Sequence, residues 1–330
     1  MDISPYQLDL TQAGTRRLDI RLAQDLTLPL TVVRRGDGPA VLAVGGTHGD
    51  EFEGQIAVTR LARTIDAGEI QGTLILMPFH NVLACRAGTR LTPGDSSDLN
   101  RLYGRPKGSG PAQSIAGFVE EMLLPHVDWV IDLHSGGDAH EFVLSSNVQA
   151  RFPSPEYNAM LAPLLAFDAP YAIVFDEVPS SPHMPHGGTL EGAARALGKK
   201  AISSELGGAG RVSAQSLAVA ERGLRNLLSF IGVVPGDQAT PPAQSRSQLL
   251  FLGRPEHHVT IRTSGCFAPM VDLGTEVRQG DLLGHIEGRN DAEPIHAPTF
   301  GVVVAVASQG RQQAGNAVFY LADNINSART

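Results

Sequence analysis

Cysteine is nearly absent from this 330-residue chain. Cys85 and Cys266 lie far apart and form no Cys-x-x-Cys pattern, which excludes a disulfide framework and a thiolate metal site. Any metal must therefore be held by histidine and carboxylate. Basic charge is also short: the formal net charge is -8 with Lys and Arg scattered, so there is no footprint for nucleic acid or for an anionic membrane surface. No apolar run is long enough for a membrane span, and the opening MDISPYQLDLTQAG has neither a basic nor an apolar targeting segment. We expect a cytoplasmic protein.

The apolar and charged fractions are those of an ordinary globular chain. Its length exceeds what one hydrophobic core usually serves, so a large domain plus a smaller one is expected. From about Leu28 to Val234, apolar runs that read as strands (LPLTVVR, PAVLAVGG, TLILMPF, DWVIDLH, YAIVFD, KKAISSEL) alternate with amphipathic helical segments. The helical segments are EFEGQIAVTRLARTI, IAGFVEEMLLP, EYNAMLAPLLAF, TLEGAARALG and SAQSLAVAERGLRNLLSFIG. That alternation predicts an α/β fold, a mixed, largely parallel sheet with helices on both faces.

After Val234 the texture changes. We expect a first domain over residues 1–235, a polar linker over 236–246 (GDQATPPAQSR) and a β-rich domain over 247–330. The last part, with APMVDLGTEVRQGDLLGHI and EPIHAPTFGVVVAV, resembles the small all-β barrel-sandwich pattern of biotinyl and lipoyl carriers. A carrier needs a lysine to acylate. None follows Lys200, so only the fold resemblance survives.

In α/β sheets functional residues gather beyond the carboxyl ends of strands. Three such ends carry GGTHGDE, DLHSGG and SSELGG, each bringing His or Glu beside glycines that permit close backbone approach. His48 and Glu51, three residues apart at a turn entering a helix, can aim at one point. His134 can reach the same point from another strand. Two His and one Glu are a common zinc set in hydrolytic sites, whereas a His-x-x-Glu pair alone decides nothing. Asp132, the strand neighbour of His134, is expected to be buried or structural. Asp50 and Glu53 read as acids of the turn and the helix start, favoured there by the helix dipole.

The four stretches HGDE, AGTRLTPGDSSDLNRLYG, DLHSGG and SELGG occur in one order. In this the chain resembles the succinylglutamate desuccinylase and aspartoacylase family, a branch of the zinc carboxypeptidase-like fold, over nearly its whole length. Within that family the likeness is greatest to bacterial members of the N-acetyl-diaminobutyrate deacetylase type. The resemblance implies one Zn2+ per chain on His48, Glu51 and His134, with Glu205 as the catalytic carboxylate. It further implies that Arg90 polarises the scissile carbonyl, that Asn100 and Arg101 hold the substrate carboxylate, and that Asp98 stands behind a ligand imidazole. The alternative for Asp98 is a turn cap in SSDLN.

These roles suit amide hydrolysis. It needs an activated water, stabilisation of an oxyanion and a proton for the departing amine. The expected activity is that of a zinc-dependent amidohydrolase acting on a small N-acyl amino acid, N-acetyl-2,4-diaminobutyrate or a relative. The alternatives are a carboxypeptidase-like metallopeptidase for short peptides and a non-catalytic binding protein. A homo-oligomer is left open. EVPSSPHMPHGG departs from the diaminobutyrate deacetylase pattern, and its His183 and His186 are candidate substrate contacts beside the blander reading of a stiff proline loop. His80, His126, His140, His257 and His258 match no motif and are read as ordinary histidines.

Overall fold

The computed structural model describes residues 2–105, 108–176, 185–235, 245–289 and 291–325. Ala40–Gly45, Gly72–Met77, Trp129–His134 and Lys200–Glu205 form the parallel centre of a mixed sheet. On one side the sheet continues antiparallel through Leu26–Arg35 and Gly14–Ala23. Sequence periodicity had pointed to no strand before Leu28. The strand Gly14–Ala23 is an edge region in which charged residues alternate with inward Leu18 and Ile20, so it carries only half a hydrophobic signal.

Helices cover both faces because successive strand residues point to opposite sides. Val41, Ala43, Ile131 and Leu133 pack with Val58 and Leu61 of Phe52–Thr64 and with Leu224 and Leu227 of Ala214–Ile231. Their alternates Leu42, Val44 and Val130 pack on the other side with Ile115 of Pro111–Phe118 and Ala193 of Leu190–Ala196. The predicted helices are present with shifted ends. The segment IAGFVEEMLLP is helical only in part, because Pro111–Phe118 passes into a wider π turn at Val119–Leu123.

The β-rich C-terminal region joins this sheet directly. Gln248–Leu252 pairs parallel with Tyr171–Phe175 and antiparallel with Ala317–Asn324, which in turn pairs with Gly301–Ala307. A separate four-stranded antiparallel sheet is built from Ala292–His296, Leu282–Glu287, Gly265–Pro269 and Arg311–Gln312. Most of the expected linker, residues 236–244, lies outside the described residues. Among the described residues no helix is long and apolar enough to cross a membrane.

Candidate active site

The register of the central strands brings the three motif loops to one rim: Gly45 lies opposite Leu133, and His134 opposite Glu205. After Gly45 the chain turns so tightly that a Cβ on Gly49 would stand 2.0 Å from the Ala84 carbonyl. Only glycine fits there. Gln55 then clamps the turn, its Nε2 donating to the backbone oxygens of Gly49 and Glu51. Glu51 occupies the position before Phe52–Thr64 but makes no capping bond with its side chain. Its carboxylate is turned instead to the two imidazoles.

His48 Nδ1 lies 2.7 Å from Glu51 Oε1, and His134 Nδ1 lies 2.8 Å from Glu51 Oε2. One donor atom from each of the three residues falls within 4.8 Å of the others, and all three side chains are buried. Behind each ring stands a second carboxylate. Asp98 Oδ1 accepts from His48 Nε2 at 3.1 Å, and Asp132 Oδ2 accepts from His134 Nε2 at 2.9 Å.

Each imidazole is therefore set between two carboxylates. To meet both carboxylates with protons of its own, each ring must become imidazolium, with centroids 5.1 Å apart in a buried site, and Arg90 Nη1, which only donates, lies 3.3 Å from His48 Nδ1 and favours a bare nitrogen there. Burial opposes that charge, yet the facing Glu51 and Asp98 raise the pKa of His48, and Asp132 and Glu51 raise that of His134. A divalent cation held by His48, Glu51 and His134 would remove the need for those two protons, since each Nδ1 could offer a lone pair while each Nε2 kept its N–H for the aspartate. The donor set, two nitrogens and one carboxylate, fits zinc.

Around this centre the remaining residues named from the sequence are distributed as follows. Arg90 Nη2 donates to Asp98 Oδ2 at 3.0 Å, and its Nη1 lies 3.5 Å from Glu51 Oε1. Asp98 does both things that had been set as alternatives, since Oδ1 also accepts from Asn100 N at 2.9 Å and closes the turn. Asn100 is buried, and its Oδ1 accepts from Leu190 N. Arg101 is exposed, with Nη1 on the Asn100 backbone oxygen. Of the proline-containing loop, His183 lies outside the described residues, and Pro185–Gly188 is a short helical turn.

Glu205 enters from the strand beside His134, and its Oε2 is buried with no hydrogen-bond partner among the described residues. Burial first, then the charge of Glu51, pushes its pKa up to about 8. The chain leaves through Gly207 and Gly208. At Gly208, φ is +136° and a Cβ would meet the His140 carbonyl at 2.2 Å, so this exit requires glycine.

Several site residues escaped the sequence reading. Asp132 is buried as expected, but it also braces His134. Positions 132 and 134 share a face of one strand, a signal that periodicity offered. His80, read as ordinary, is fully buried one layer further in, between Thr47 and Tyr103. Glu191 is also buried, with a carboxylate oxygen within 4.8 Å of ligand atoms of Asp132 and His134. Glu53 begins its helix as expected, and its Oε1 accepts from Ser216 Oγ of Ala214–Ile231. Asp50 Oδ2 accepts from Asp138 N and ties the turn to the loop after His134.

The mixed α/β fold thus carries, at the carboxyl rim of its parallel strands, a His–Glu–His cluster that could hold a metal ion beside a buried carboxyl oxygen with no hydrogen-bond partner among the described residues. Residues 37–231 match the family described as succinylglutamate desuccinylase/aspartoacylase catalytic domain. The chain belongs to that family. It is 31% identical to the N-alpha-acetyl-L-2,4-diaminobutyric acid deacetylase of Halomonas elongata, over 98% of this chain and 94% of that protein. Among solved structures it is similar to a succinylglutamate desuccinylase/aspartoacylase from Rhodobacter sphaeroides, with TM-score 0.87, 30% identity and coverage of 97% of this chain and 98% of that one. It is likewise similar to the product-bound ectoine utilization protein of Ruegeria pomeroyi, with TM-score 0.85, 31% identity and coverage of 96% and 97%.

Proposed function

We propose that the chain is a zinc-dependent hydrolase that cleaves the amide of a small N-acyl amino acid, N-acetyl-2,4-diaminobutyrate or a close chemical relative. The observation that carries this is the buried pair of imidazoles, each between two carboxylates, beside Glu205, whose Oε2 is buried with no hydrogen-bond partner among the described residues. The relative in Halomonas elongata supports the substrate class. His48, Glu51 and His134 would hold the ion. When bound, it supplies Lewis acidity that activates water and polarises a carbonyl at neutral pH.

The protein's own groups perform the rest. Glu205 takes a proton from the attacking water and returns it to the departing amine, work for which a carboxyl pKa near neutrality is suited. Its rise to about 8 belongs to the site without an ion; adjacent positive charge lowers it again, towards the range of a base at pH 7. Arg90 stays charged throughout and stabilises the developing oxyanion. Arg101 offers a planar fork to the substrate carboxylate, and Asn100 adds a directed donor. Asp98 and Asp132 orient the imidazoles.

A panel of N-acetyl, N-succinyl and N-aspartyl amino acids together with short peptides, with product amines identified by mass, tests this reading. Release of a free diamino acid or amino acid from an N-acyl substrate is expected. Cleavage of peptides alone would overturn it in favour of the peptidase alternative.

A further inference from the structure

We infer that Tyr103, His80 and Thr47 are positioning residues which, through Asp132, form a one-way hydrogen-bond chain that turns the bare Nδ1 of His134 towards the metal ion. The metal-directed part of this inference rests on the function proposed above. The chain's direction rests on the geometry of the links and on the burial that keeps His80 neutral.

The links are Tyr103 Oη to His80 Nε2 at 2.6 Å, His80 Nδ1 to Thr47 Oγ1 at 2.9 Å, Thr47 Oγ1 to Asp132 Oδ1 at 2.9 Å, and Asp132 Oδ2 to His134 Nε2 at 2.9 Å. Tyr103, His80, Thr47 and Asp132 are all within 1% of full burial, so water does not compete for any link.

Donor and acceptor roles then follow in sequence. An ionised carboxylate only accepts, so the single hydroxyl proton of Thr47 goes to Asp132. Thr47 Oγ1 must therefore accept from His80, which places the His80 proton on Nδ1. Burial keeps that ring neutral at physiological pH, its pKa being pushed down to about 4, so Nε2 is an acceptor and the Tyr103 hydroxyl donates to it. Asp132, with one oxygen occupied by Thr47, accepts from His134 Nε2 with the other. His134 is thus held with its proton on Nε2 and cannot rotate away without leaving one oxygen of a buried carboxylate unpaired. His80 lies outside all four motifs that carry the family resemblance. Thr47 immediately precedes HGDE and Tyr103 is next to last in AGTRLTPGDSSDLNRLYG, and both hydroxyls lie against His80.

The test is long-range 1H–15N NMR of the full chain with 15N-histidine, zinc-free and zinc-loaded, combined with zinc dissociation constants from chelator competition. His80 is expected to show a protonated Nδ1 and a bare Nε2, the less common form of a free neutral imidazole. Tyr103→Phe keeps the ring in its slot but removes the donor, and should mix the His80 tautomers. The zinc dissociation constant should rise about 3- to 10-fold in Tyr103→Phe and about 10- to 100-fold in Thr47→Val, with Thr47→Ser restoring it. A purely structural role would lower the melting temperature of Thr47→Val without changing its zinc affinity, and would overturn the inference. A proton on His80 Nε2 in the unaltered protein would overturn it as well. If the unaltered protein binds no zinc while His80 is protonated at Nδ1, the proposed function fails and the chain's direction is upheld.

Discussion

His48 and His134 face the same carboxylate of Glu51, yet they are braced from opposite directions. Behind His48 stands the rim: Asp98, in a short turn, with Arg90 about two-fifths exposed. Behind His134 stands the core: Asp132, Thr47, His80 and Tyr103, in successive layers closed to water. Rim charges are hydrated and screened, and a lost partner there is replaced by water. In the core nothing replaces a lost partner, so the same chemical pairing costs far more to break.

The largest expected effect tests that asymmetry directly. Asp132→Ala strands the hydroxyl of Thr47 and the N–H of His134 in the core, and should destabilise the fold by about 3–5 kcal/mol in urea unfolding. Asp98→Ala should cost about 1 kcal/mol, the worth of the turn bond to Asn100 N. Equal losses would mean the two braces are equivalent. Zinc affinity should fall in both, by about 10- to 100-fold for Asp98→Ala by chelator competition, because orientation of the imidazole matters whether or not the brace is buried.

Next in size is the rim cation. Arg90→Lys keeps the charge but loses the fork that spans Asp98 and the site, and turnover should fall about 10-fold or more with a smaller change in KM. A change confined to KM would place Arg90 in ground-state binding instead.

A further effect concerns pH and belongs to the point between the two halves. Glu205 has a folded-state pKa near 8, above its ordinary value of 4.5. Between those values the folded protein keeps a proton that the unfolded chain releases, so this group's contribution is fully present below about 4.5 and lost as pH rises to about 8. In metal-free protein, the melting temperature should fall more steeply from pH 5 to pH 8 than in Glu205→Gln, whose amide does not titrate. Parallel curves would show that Glu205 is not buried in the protonated form.

The same asymmetry explains what could be read from the sequence. His48 and Glu51 lie in a glycine turn after a strand, and His134 and Glu205 end strands that run into glycines, so local spacing announces them; Arg90 and Asp98, beyond the short helix Val82–Ala87, were marked only by the family resemblance. The structure brings these six residues together. The alternation of strands and helices likewise revealed the central sheet. His80, Thr47 and Tyr103 could not be found that way. Their contacts join residues tens of positions apart, and no local period encodes a hydrogen bond between a turn, a strand end and a loop. Asp132 lay between the two cases: strand alternation put it on the His134 face, but burial alone was inferred.

The C-terminal region gave a comparable lesson. Its β character was plain from composition, but its pairing was not. His140–Phe142, just after the DLHSGG loop, pairs with Gly301–Ala307, and His140 and Phe142 pack on Tyr320. A histidine read as ordinary thus anchors the loop after His134 to the last strands of the chain.

The most direct test of the central claim is the turnover of N-acetyl-2,4-diaminobutyrate by Glu205→Gln in a sample whose metal content is measured on the same preparation. The account predicts about one zinc per chain, as in the unaltered protein, with activity lower by a factor of about 10² to 10⁴. Near-normal activity in a zinc-loaded Glu205→Gln sample would contradict it.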